Sequence, residues 1–400
     1  MLNTSRGQGP SGRENISRLQ VLRFCCSVYT GKKFRLQTPA AVPDLKVAFN
    51  KKLKQHVSII QDNNIKQGKT DMAKNIARRD LLKMGMAATA CAAAGILTGT
   101  KAAEAKEEKR ILKAGIITDM HRTTKADSST RTYSAAMNKM KVFIDAMKKE
   151  KPAFLIELGD FVDTLAPGTD PSANLREIET LYTSFGGSVY HVLGNHDFDN
   201  LKRETFLAGI TNTGIETGRT YYSYDADGVH CIVLDADYTP GKFRPYDMNT
   251  PEDTFWTWVD TIIPPQEMEW LKDDLKKTDK PVIVFSHQTL DRVDTQDHNI
   301  KNASAVRAVL EESGKVLAVI SGHDHQGGYA NIKGIHYVVL NGNVGVNDYR
   351  TWDVTSAEKG LDLHKDNQFS ILEVSRKGKT YRLTIAGYGR QPSYRLERTL

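Results

Sequence analysis

Five short clusters of polar residues carry the chemistry that this sequence can perform. They read Asp119-Met120-His121, Gly159-Asp160, Gly194-Asn195-His196-Asp197, Ser286-His287 and Gly322-His323-Asp324-His325. Each cluster follows a short apolar run, at the point where a buried strand would end. The carboxyl ends of the strands in an open α/β sheet form the ligand crevice, so we expect the five clusters to meet in space.

The residue types in these clusters are those of a metal centre. Seven residues of the clusters offer oxygen or imidazole ligands: Asp119, His121, Asp160, Asn195, His287, His323 and His325. Oxygen and imidazole without thiolate suit Mn, Fe, Zn, Co or Ni better than Ca. A single Asp after a strand is more often a turn residue or a helix cap. The five clusters together, in this order, predict a transition-metal site.

Alternating strands and helices must position these clusters. Strands are predicted for the apolar runs 111–118, 153–158, 188–193, 230–235, 281–286 and 315–321, and helices for Tyr133–Glu150, Ala173–Phe185, Pro265–Lys277 and Ala303–Ser313. This alternation is typical of α/β layers. After Gly327 the sequence predicts two strand pairs, around 328–340 and 369–387. Since no Pro/Gly/Ser-rich linker divides residues 106–400, we expect one domain there.

The charge distribution excludes a nucleic-acid partner. The chain has a formal net charge of +7, but residues 1–105 hold 18 Lys and Arg against 6 Asp and Glu. Residues 106–400 therefore hold 37 Lys and Arg against 42 Asp and Glu and are mildly acidic. They show no basic stripe that could bind nucleic acid. Cys231 is the single cysteine of this part of the sequence, which excludes a disulfide framework and a thiolate zinc site.

Residues 72–105 resemble an export signal of the twin-arginine type. Arg78 and Arg79 precede an apolar stretch that ends near Leu97 and is followed by Ala103-Glu104-Ala105, after which we expect cleavage. The stretch is too short to span a bilayer. We expect Met72 to be the initiator and residues 1–71 to be a wrongly assigned start or a disordered extension. The mature protein would then be periplasmic or extracellular, and anchoring through a lipid on Cys91 is a minor alternative.

The ordered clusters resemble those of the calcineurin-like metallophosphoesterases over residues 111–342. The resemblance implies an α/β fold, a four-layer α/β/β/α sandwich with two divalent transition-metal ions, Mn, Fe or Zn, at one edge. It also implies that Asp119, His121, Asp160 and His325 bind the first ion, and that Asp160, Asn195, His287 and His323 bind the second. By the same resemblance His196 is the acid that protonates the leaving oxygen, or else orients the metal water. Asp197 is expected to orient a neighbouring imidazole.

A narrower resemblance covers the later half of the chain. The runs HCIVLDADY (230–238), IVFSHQ (283–288) and SGHDHQGGYANIKGIHYVVLNG (321–342) are similar to the manganese-dependent ADP-ribose/CDP-alcohol diphosphatase branch. The sequence departs from that branch at His121, where the branch usually carries Gln. This difference predicts that the first metal is bound more as in general phosphoesterases, and it leaves open a substrate other than that of the branch.

The rim of the crevice is expected to bind the substrate. The segment 237–263 is rich in aromatic residues, and its candidate contacts are Arg244 for a phosphate and Tyr246 and Trp256 for a nucleobase. The alternative is a loop that its own aromatic residues fold onto the domain.

These features predict an exported phosphohydrolase that cleaves a small phosphoester or a nucleotide-like pyrophosphate. A cyclic-nucleotide or glycerophospho-diesterase would use the same metal ligands. Only the loops at the rim of the crevice would distinguish these enzymes from each other. A periplasmic binding protein on the same fold is disfavoured because the ligand set is intact. The expected partners are the small phosphorylated substrate and the twin-arginine export machinery, without nucleic acid and without a membrane span in the mature protein.

The leader gives a direct prediction about export. A chain that begins at Met72 should be exported as efficiently as the full chain, since the signal then stands at the amino terminus. Replacing Arg78 and Arg79 together by Lys should keep the protein in the cytoplasm. Cell fractionation and immunoblotting of the three proteins measure this. Cytoplasmic retention of the Met72 chain with intact arginines would contradict the prediction.

Overall fold

Two six-stranded sheets frame the protein in the computed structural model, which describes residues 107–128, 130–246, 259–345 and 366–400. The first sheet contains, in spatial order, β14 (Tyr394–Thr399), β13 (Thr380–Tyr388), β12 (Phe369–Lys377), β1 (Lys109–Ile117), β2 (Phe154–Glu157) and β3 (Ser188–His191). The second contains β10 (Gly328–Ile332), β11 (Ile335–Val339), β9 (Val316–Ser321), β8 (Val282–Ser286), β5 (Val229–Val233) and β4 (Tyr222–Ala226). A two-stranded ribbon joins β6 (Tyr238–Thr239) to β7 (Arg244–Pro245).

The central strands of both sheets are parallel. In the first sheet β1, β2 and β3 run in one direction, with Ile117 opposite Glu157 and Glu157 opposite His191. In the second sheet β5, β8, β9 and β11 are parallel as well. The carboxyl ends of the parallel strands therefore lie together at one edge of each sheet.

Helices cover the outer face of each sheet. They are α1 (Ala136–Glu150), α2 (Pro171–Thr183), α3 (Arg203–Gly209), α4 (Pro265–Lys277) and α5 (Ala303–Ser313). Met140, Phe143 and Met147 of α1 lie on one buried face and pack with α2 and α3 against the first sheet. Leu271 of α4 and Leu310 of α5 pack against the second sheet.

The main hydrophobic core lies between the two sheets. It joins side chains of the first sheet, such as Ile116 and Ile156, to side chains of the second, such as Phe285 and Leu317. Each of these four side chains is fully buried, which contributes roughly 1.5–3 kcal/mol per side chain. The predicted four-layer α/β/β/α sandwich is confirmed.

The predicted elements agree with the observed ones, but the sequence pattern did not predict the short helix α3, the two-residue strands β6 and β7, or the edge strands β4 and β14. Leu396 is the one buried residue of β14, and so its sequence lacks a buried apolar run. Helix α2 begins before the predicted Ala173, since Asp170 caps it by accepting a hydrogen bond from Ser172 N and Pro171 occupies its first turn.

Residues 1–71 and the predicted leader 72–105, with Arg78, Arg79 and Cys91, lie outside the described residues. Within the described ranges, no helix has the length and apolar character that a bilayer span requires.

Candidate metal centre

The turns after β1 and β9 form one group of possible ligands. His325 Nε2 lies 3.1 Å from Asp119 Oδ1, and His121 Nε2 lies 3.8 Å from the same oxygen. The two imidazole nitrogens are 3.2 Å apart. All three side chains therefore direct a ligand atom into one small space.

The turns after β2, β8 and β9 form the second group. His287 Nε2 lies 3.1 Å from Asp160 Oδ2 and 3.1 Å from His323 Nδ1. The other ring nitrogen of His287, Nδ1, is 2.7 Å from the carbonyl oxygen of Leu158. A hydrogen bond from Nδ1 to this carbonyl leaves Nε2 as the ligand nitrogen.

Asp160 lies between the two groups. Its Oδ2 atom is 3.5 Å from His121 Nε2 in the first group and 3.1 Å from His287 Nε2 in the second. Its Oδ1 atom accepts a hydrogen bond from His196 N at 2.8 Å. One carboxylate oxygen thus faces imidazoles from both sheets, since His121 follows β1 and His287 follows β8.

Four of the candidate ligands have left-handed backbone conformations. The φ angles are 54° at Asp119, 46° at His121, 56° at Asp160 and 66° at His323, a region that non-glycine residues seldom occupy. Such conformations cost on the order of 1–3 kcal/mol each and are concentrated at functional sites. Backbone hydrogen bonds hold them, from Asp119 N to Gly159 O and from His121 N to Asp160 O.

Gly194 permits the close approach of the turns after β2 and β3. A Cβ atom at this position would lie 2.1 Å from Asp160 N and 2.5 Å from Asp160 Oδ1. Any side chain would therefore push the two turns apart. Asn195, the next residue, is consequently brought beside Asp160.

The donor set fits a cation. Among the described residues, Asp119 Oδ1 and Asn195 Oδ1 are buried acceptors that receive no hydrogen bond. A buried acceptor without a partner is energetically costly unless a cation or a water molecule binds to it. Two pairs of imidazole nitrogens also face each other at about hydrogen-bond distance. Oxygen and imidazole donors in this arrangement suit a divalent transition metal.

The histidines stabilise the ionised carboxylates. Burial raises the pKa of Asp119, but the opposing effect of His325 and His121 is larger and holds this pKa well below its usual range. Burial likewise opposes ionisation of Asp160, and His287 and His196 nevertheless keep the pKa of this carboxyl low. Both carboxyls are therefore ionised and able to bind a cation at neutral pH.

His196 is held at the edge of this centre by two aspartates. Its Nδ1 atom is 2.7 Å from Asp199 Oδ2 and 3.6 Å from Asp163 Oδ1. Burial lowers the pKa of His196, but Asp160 and Asp199 outweigh burial and raise it to about 9. The two aspartates beside the ring therefore favour the protonated imidazole. Sequence reasoning missed Asp199, although its position three residues after His196 in a short turn was a usable signal.

Asp197 differs from the expectation. Instead of orienting an imidazole, its carboxylate accepts backbone hydrogen bonds from Phe161 N, Val162 N and Gly194 N at 2.8, 3.1 and 2.9 Å. It thus ties the turn after β3 to the turn after β2. Two other aspartates hold imidazoles at this centre: Asp199 at His196, and Asp163, whose Oδ2 atom is 2.9 Å from His121 Nδ1.

The predicted substrate residues have different positions in the structure. Tyr246 is 5% exposed and packs in the core beneath the helices, so the expectation that it stacks on a base is wrong. Arg244 lies half-buried on the β6–β7 ribbon and does not line the recess over the metal ligands. Trp256 lies outside the described residues.

Two other residues line that recess and were missed. The recess has a volume of about 310 Å³, and its walls are Arg131, Asp160, His196, His298, His323 and His325. Arg131 belongs to the polar loop after β1, and its Nη1 atom is 3.4 Å from Asp163 Oδ2. His298 lies in the loop after β8, with its ring centroid 5.1 Å from that of His323. Neither residue belongs to a motif or follows an apolar run, and so the sequence pattern did not single them out.

The four-layer sandwich and the ligands at its edge define a metallophosphoesterase. The chain matches the family model of the calcineurin-like phosphoesterases over residues 112–327 and belongs to this family. The protein is a phosphoester hydrolase that uses divalent metal ions, as the sequence predicted.

Curated relatives and a solved structure support this assignment. The chain is 26% identical over 214 residues to the manganese-dependent ADP-ribose/CDP-alcohol diphosphatase of Arabidopsis thaliana, covering 46% of this chain and 68% of that protein. It is 25% identical over 288 residues to the Xenopus laevis diphosphatase of the same name, covering 57% and 80% of the two chains. A dimetal phosphatase from Danio rerio shares the fold with a TM-score of 0.56 at 18% identity, over 72% of this chain and all of the other. The predicted resemblance to this branch is confirmed.

Proposed function

We propose that the protein is a dinuclear metallophosphoesterase that hydrolyses the diphosphate bond of a small nucleotide-like substrate. The position of Asp160 carries the proposal, because its Oδ2 atom faces His121 of one ligand group and His287 of the other. In this assignment Asp119, His121, Asp160 and His325 hold the first ion. Asp160, Asn195, His287 and His323 hold the second.

The bound ions and their ligands would have different roles in the reaction. Two bound cations supply charge for the phosphate oxygens and lower the pKa of a water molecule. Asp160 keeps the two ligand groups at a fixed separation, and the histidine ligands are neutral when they bind. Two Asp and one Asn against two divalent ions leave the site with a net positive charge, which favours a phosphate anion.

His196 has the properties of a general acid. It lines the recess, and its contact to Asp199, which is not one of the assigned ligands, favours the protonated imidazole. Since Asp199 accepts from Nδ1, Nε2 is the nitrogen that transfers a proton to the leaving oxygen. The same contact to Asp199 stabilises the imidazolium and holds the ring in place.

Arg131 supports a diphosphate substrate. Arg131 lines the same recess as His196 and the ligand Asp160, so a second phosphate that entered this recess would find a positive charge in its wall. The loop that carries it is fixed, since Thr132 N donates to Val344 O at 3.0 Å. An arginine is well suited to bind phosphate oxygens. The relatives described above are, by name, diphosphatases of ADP-ribose and CDP-alcohols.

We also propose that the enzyme acts outside the cytoplasm. The support is the twin arginine pair Arg78-Arg79 followed by a short apolar stretch. The test is the fractionation of the Met72 chain described above.

A substrate comparison tests the proposed function. With Mn, the enzyme should cleave ADP-ribose with a higher kcat/KM than either p-nitrophenyl phosphate or bis-p-nitrophenyl phosphate, because Arg131 contacts the second phosphate only in the diphosphate. The rates are measured by nucleotide chromatography and by nitrophenolate absorbance. Preference for bis-p-nitrophenyl phosphate, with ADP-ribose left intact, would instead identify a diesterase.

Metal analysis tests the dinuclear assignment. Protein loaded with Mn should contain two ions per chain, and Asp160→Asn should lose more activity than Asp119→Asn because it weakens both ion sites. Asp324→Asn is the control, since Asp324 lies between two ligands but pairs with Arg292. A single ion per chain, or a tenfold greater loss in Asp119→Asn, would refute the shared role of Asp160.

Leaving-group dependence tests His196. His196→Ala should retain its metal and lose about 10²–10⁴-fold in rate on an alkyl phosphate. The loss should be much smaller on p-nitrophenyl phosphate, whose leaving group needs little protonation. His230→Ala is a matched control, because His230 also lies between two aspartates, Asp225 and Asp274, but belongs to β5. An equal loss on both substrates would show that His196 orients water instead.

A further inference from the structure

Lys139, near the start of α1, is a fully buried lysine that the mechanism does not use. Burial lowers its pKa to about 8, although Asp366 and Asp127 oppose this effect. An amine is costly to bury unless its N–H groups meet acceptors. Nζ donates a hydrogen bond to the carbonyl oxygen of Asn343, which lies just beyond β11. The lysine thus joins α1 to the segment that follows β11.

Further buried hydrogen bonds close the contact between α1 and this segment, which comprises residues 342–345. Asn343 Nδ2 donates to Asn367 Oδ1 at 2.8 Å, and Asn367 Nδ2 donates to the main-chain carbonyl oxygen of Lys139 at 2.9 Å. Gln368 Nε2 donates to the carbonyl oxygen of Gly342 at 3.1 Å. Because these groups are buried, the loss of one partner leaves the other without water to replace it. Segment 342–345 is therefore held from behind, with Lys139 as a cationic donor.

Segment 342–345 contacts two ligands of the first ion. Val344 N donates to the carbonyl oxygen of Asp119 at 2.9 Å, and Gly342 N donates to that of His325 at 3.3 Å. Gly342 also lies against the imidazole of His325, since a Cβ atom on Gly342 would be 2.6 Å from Cγ and Cδ2 of the ring. The segment thus fixes the backbone from which one ligand projects and packs on the ring of the other.

The second ligand group is held by other parts of the chain. His287 Nδ1 is 2.7 Å from the carbonyl oxygen of Leu158, and Asn195 is placed by the close approach of Gly194 to the turn after β2. Among the described residues, neither His287 nor Asn195 has a hydrogen bond to segment 342–345. A displacement of the segment would therefore reach the first ligand group and leave these two ligands in place.

We propose that Lys139 is a positioning residue for the first metal ion, which it supports by holding segment 342–345 against Asp119 and His325. Groups behind metal ligands fix the orientation of the ligands, and losing such a group typically lowers metal affinity about 10–100-fold. Loss of the Lys139 amine should therefore weaken the first ion and spare the second. The division into two ions rests on the proposed function, whereas the hold on the segment does not.

Mn titration of single-site proteins tests the selectivity without a substrate. Asn195→Ala removes a ligand of the second ion, and Asp119→Ala removes a ligand of the first. Adding Lys139→Met should lower the Mn affinity about 10–100-fold in the Asn195→Ala protein and leave it unchanged in the Asp119→Ala protein. Equilibrium dialysis with metal analysis measures both affinities. Equal weakening in the two proteins, or an unchanged affinity in the Asn195→Ala protein, would overturn the proposal.

Lys315→Met is the matched control for the loss of a lysine amine. Lys315 Nζ also donates to main-chain carbonyl oxygens, those of Leu275 and Thr278 at 2.8 and 2.7 Å. It precedes β9 and so lies at the opposite end of that strand from the ligands His323 and His325. Lys315→Met should leave the Mn affinity of both single-site proteins unchanged. A loss as large as that of Lys139→Met would show a general effect of removing a lysine.

Hydrogen exchange of the metal-free protein tests the hold on the segment. Lys139→Met keeps the apolar stem, and Asp366 keeps Arg390 as an ion-pair partner at 3.0 Å. Exchange should accelerate in peptides covering 342–345, while β5, β8 and the Lys315→Met protein keep wild-type rates. Unchanged exchange in 342–345, or equal acceleration throughout the chain, would contradict the proposal.

Two further outcomes are distinguishable. If Lys139→Met does not fold, Lys139→Gln is the second variant, because its amide is polar but ends one bond short of the Nζ position; it should weaken the same ion. If the wild-type protein binds a single Mn ion, the dinuclear assignment is refuted. The hydrogen-exchange result then still decides whether Lys139 holds segment 342–345.

Discussion

The separation between the turns after β2 and β3 is the constraint on which the metal centre depends. Gly194 lies against the backbone of Asp160 so closely that no side chain fits between them. The carboxylate of Asp197 then accepts hydrogen bonds from two backbone amides across the same gap, Phe161 N and Val162 N, and from Gly194 N of its own turn. As a result Asp160 and Asn195 reach the centre from neighbouring strands of one sheet, while His287 and His323 approach from the other sheet.

Electrostatics and backbone strain support each other in this arrangement. The left-handed conformations at Asp119, His121, Asp160 and His323 direct side chains from tight turns toward one point. Two ionised carboxylates buried close together would be unfavourable without neighbouring groups that stabilise their charge. The neighbouring histidines hold the pKa of Asp119 and Asp160 low, so both carboxyls stay ionised although they are buried. The strain is sustained because the surrounding sheets are fully packed.

The fold and the ligand clusters could be predicted from the sequence because each buried strand is a continuous apolar run with a polar residue just beyond it. The pattern gave the parallel strands, helices α4 and α5 with their observed bounds, and all seven ligand candidates, which the structure brings together. It failed where tertiary packing decides. Tyr246 was a candidate because it lies in an aromatic-rich segment, but its side chain is buried in the core. Arg131 and His298 lie in loops, and the course of a loop cannot be predicted from a hydrophobic pattern in the sequence.

The spread of the ligands along the chain has a consequence for folding. Asp119 follows the first described strand, and His325 follows β9, so more than half of the chain lies between the first and last ligand. Closing a loop of that length costs entropy that is recovered only when the two sheets pack together. During synthesis the ligand set is incomplete until His325 has emerged and β9 has joined its sheet. A complete metal centre therefore requires that the parallel strands β1, β2 and β3 of one sheet have packed against β8 and β9 of the other.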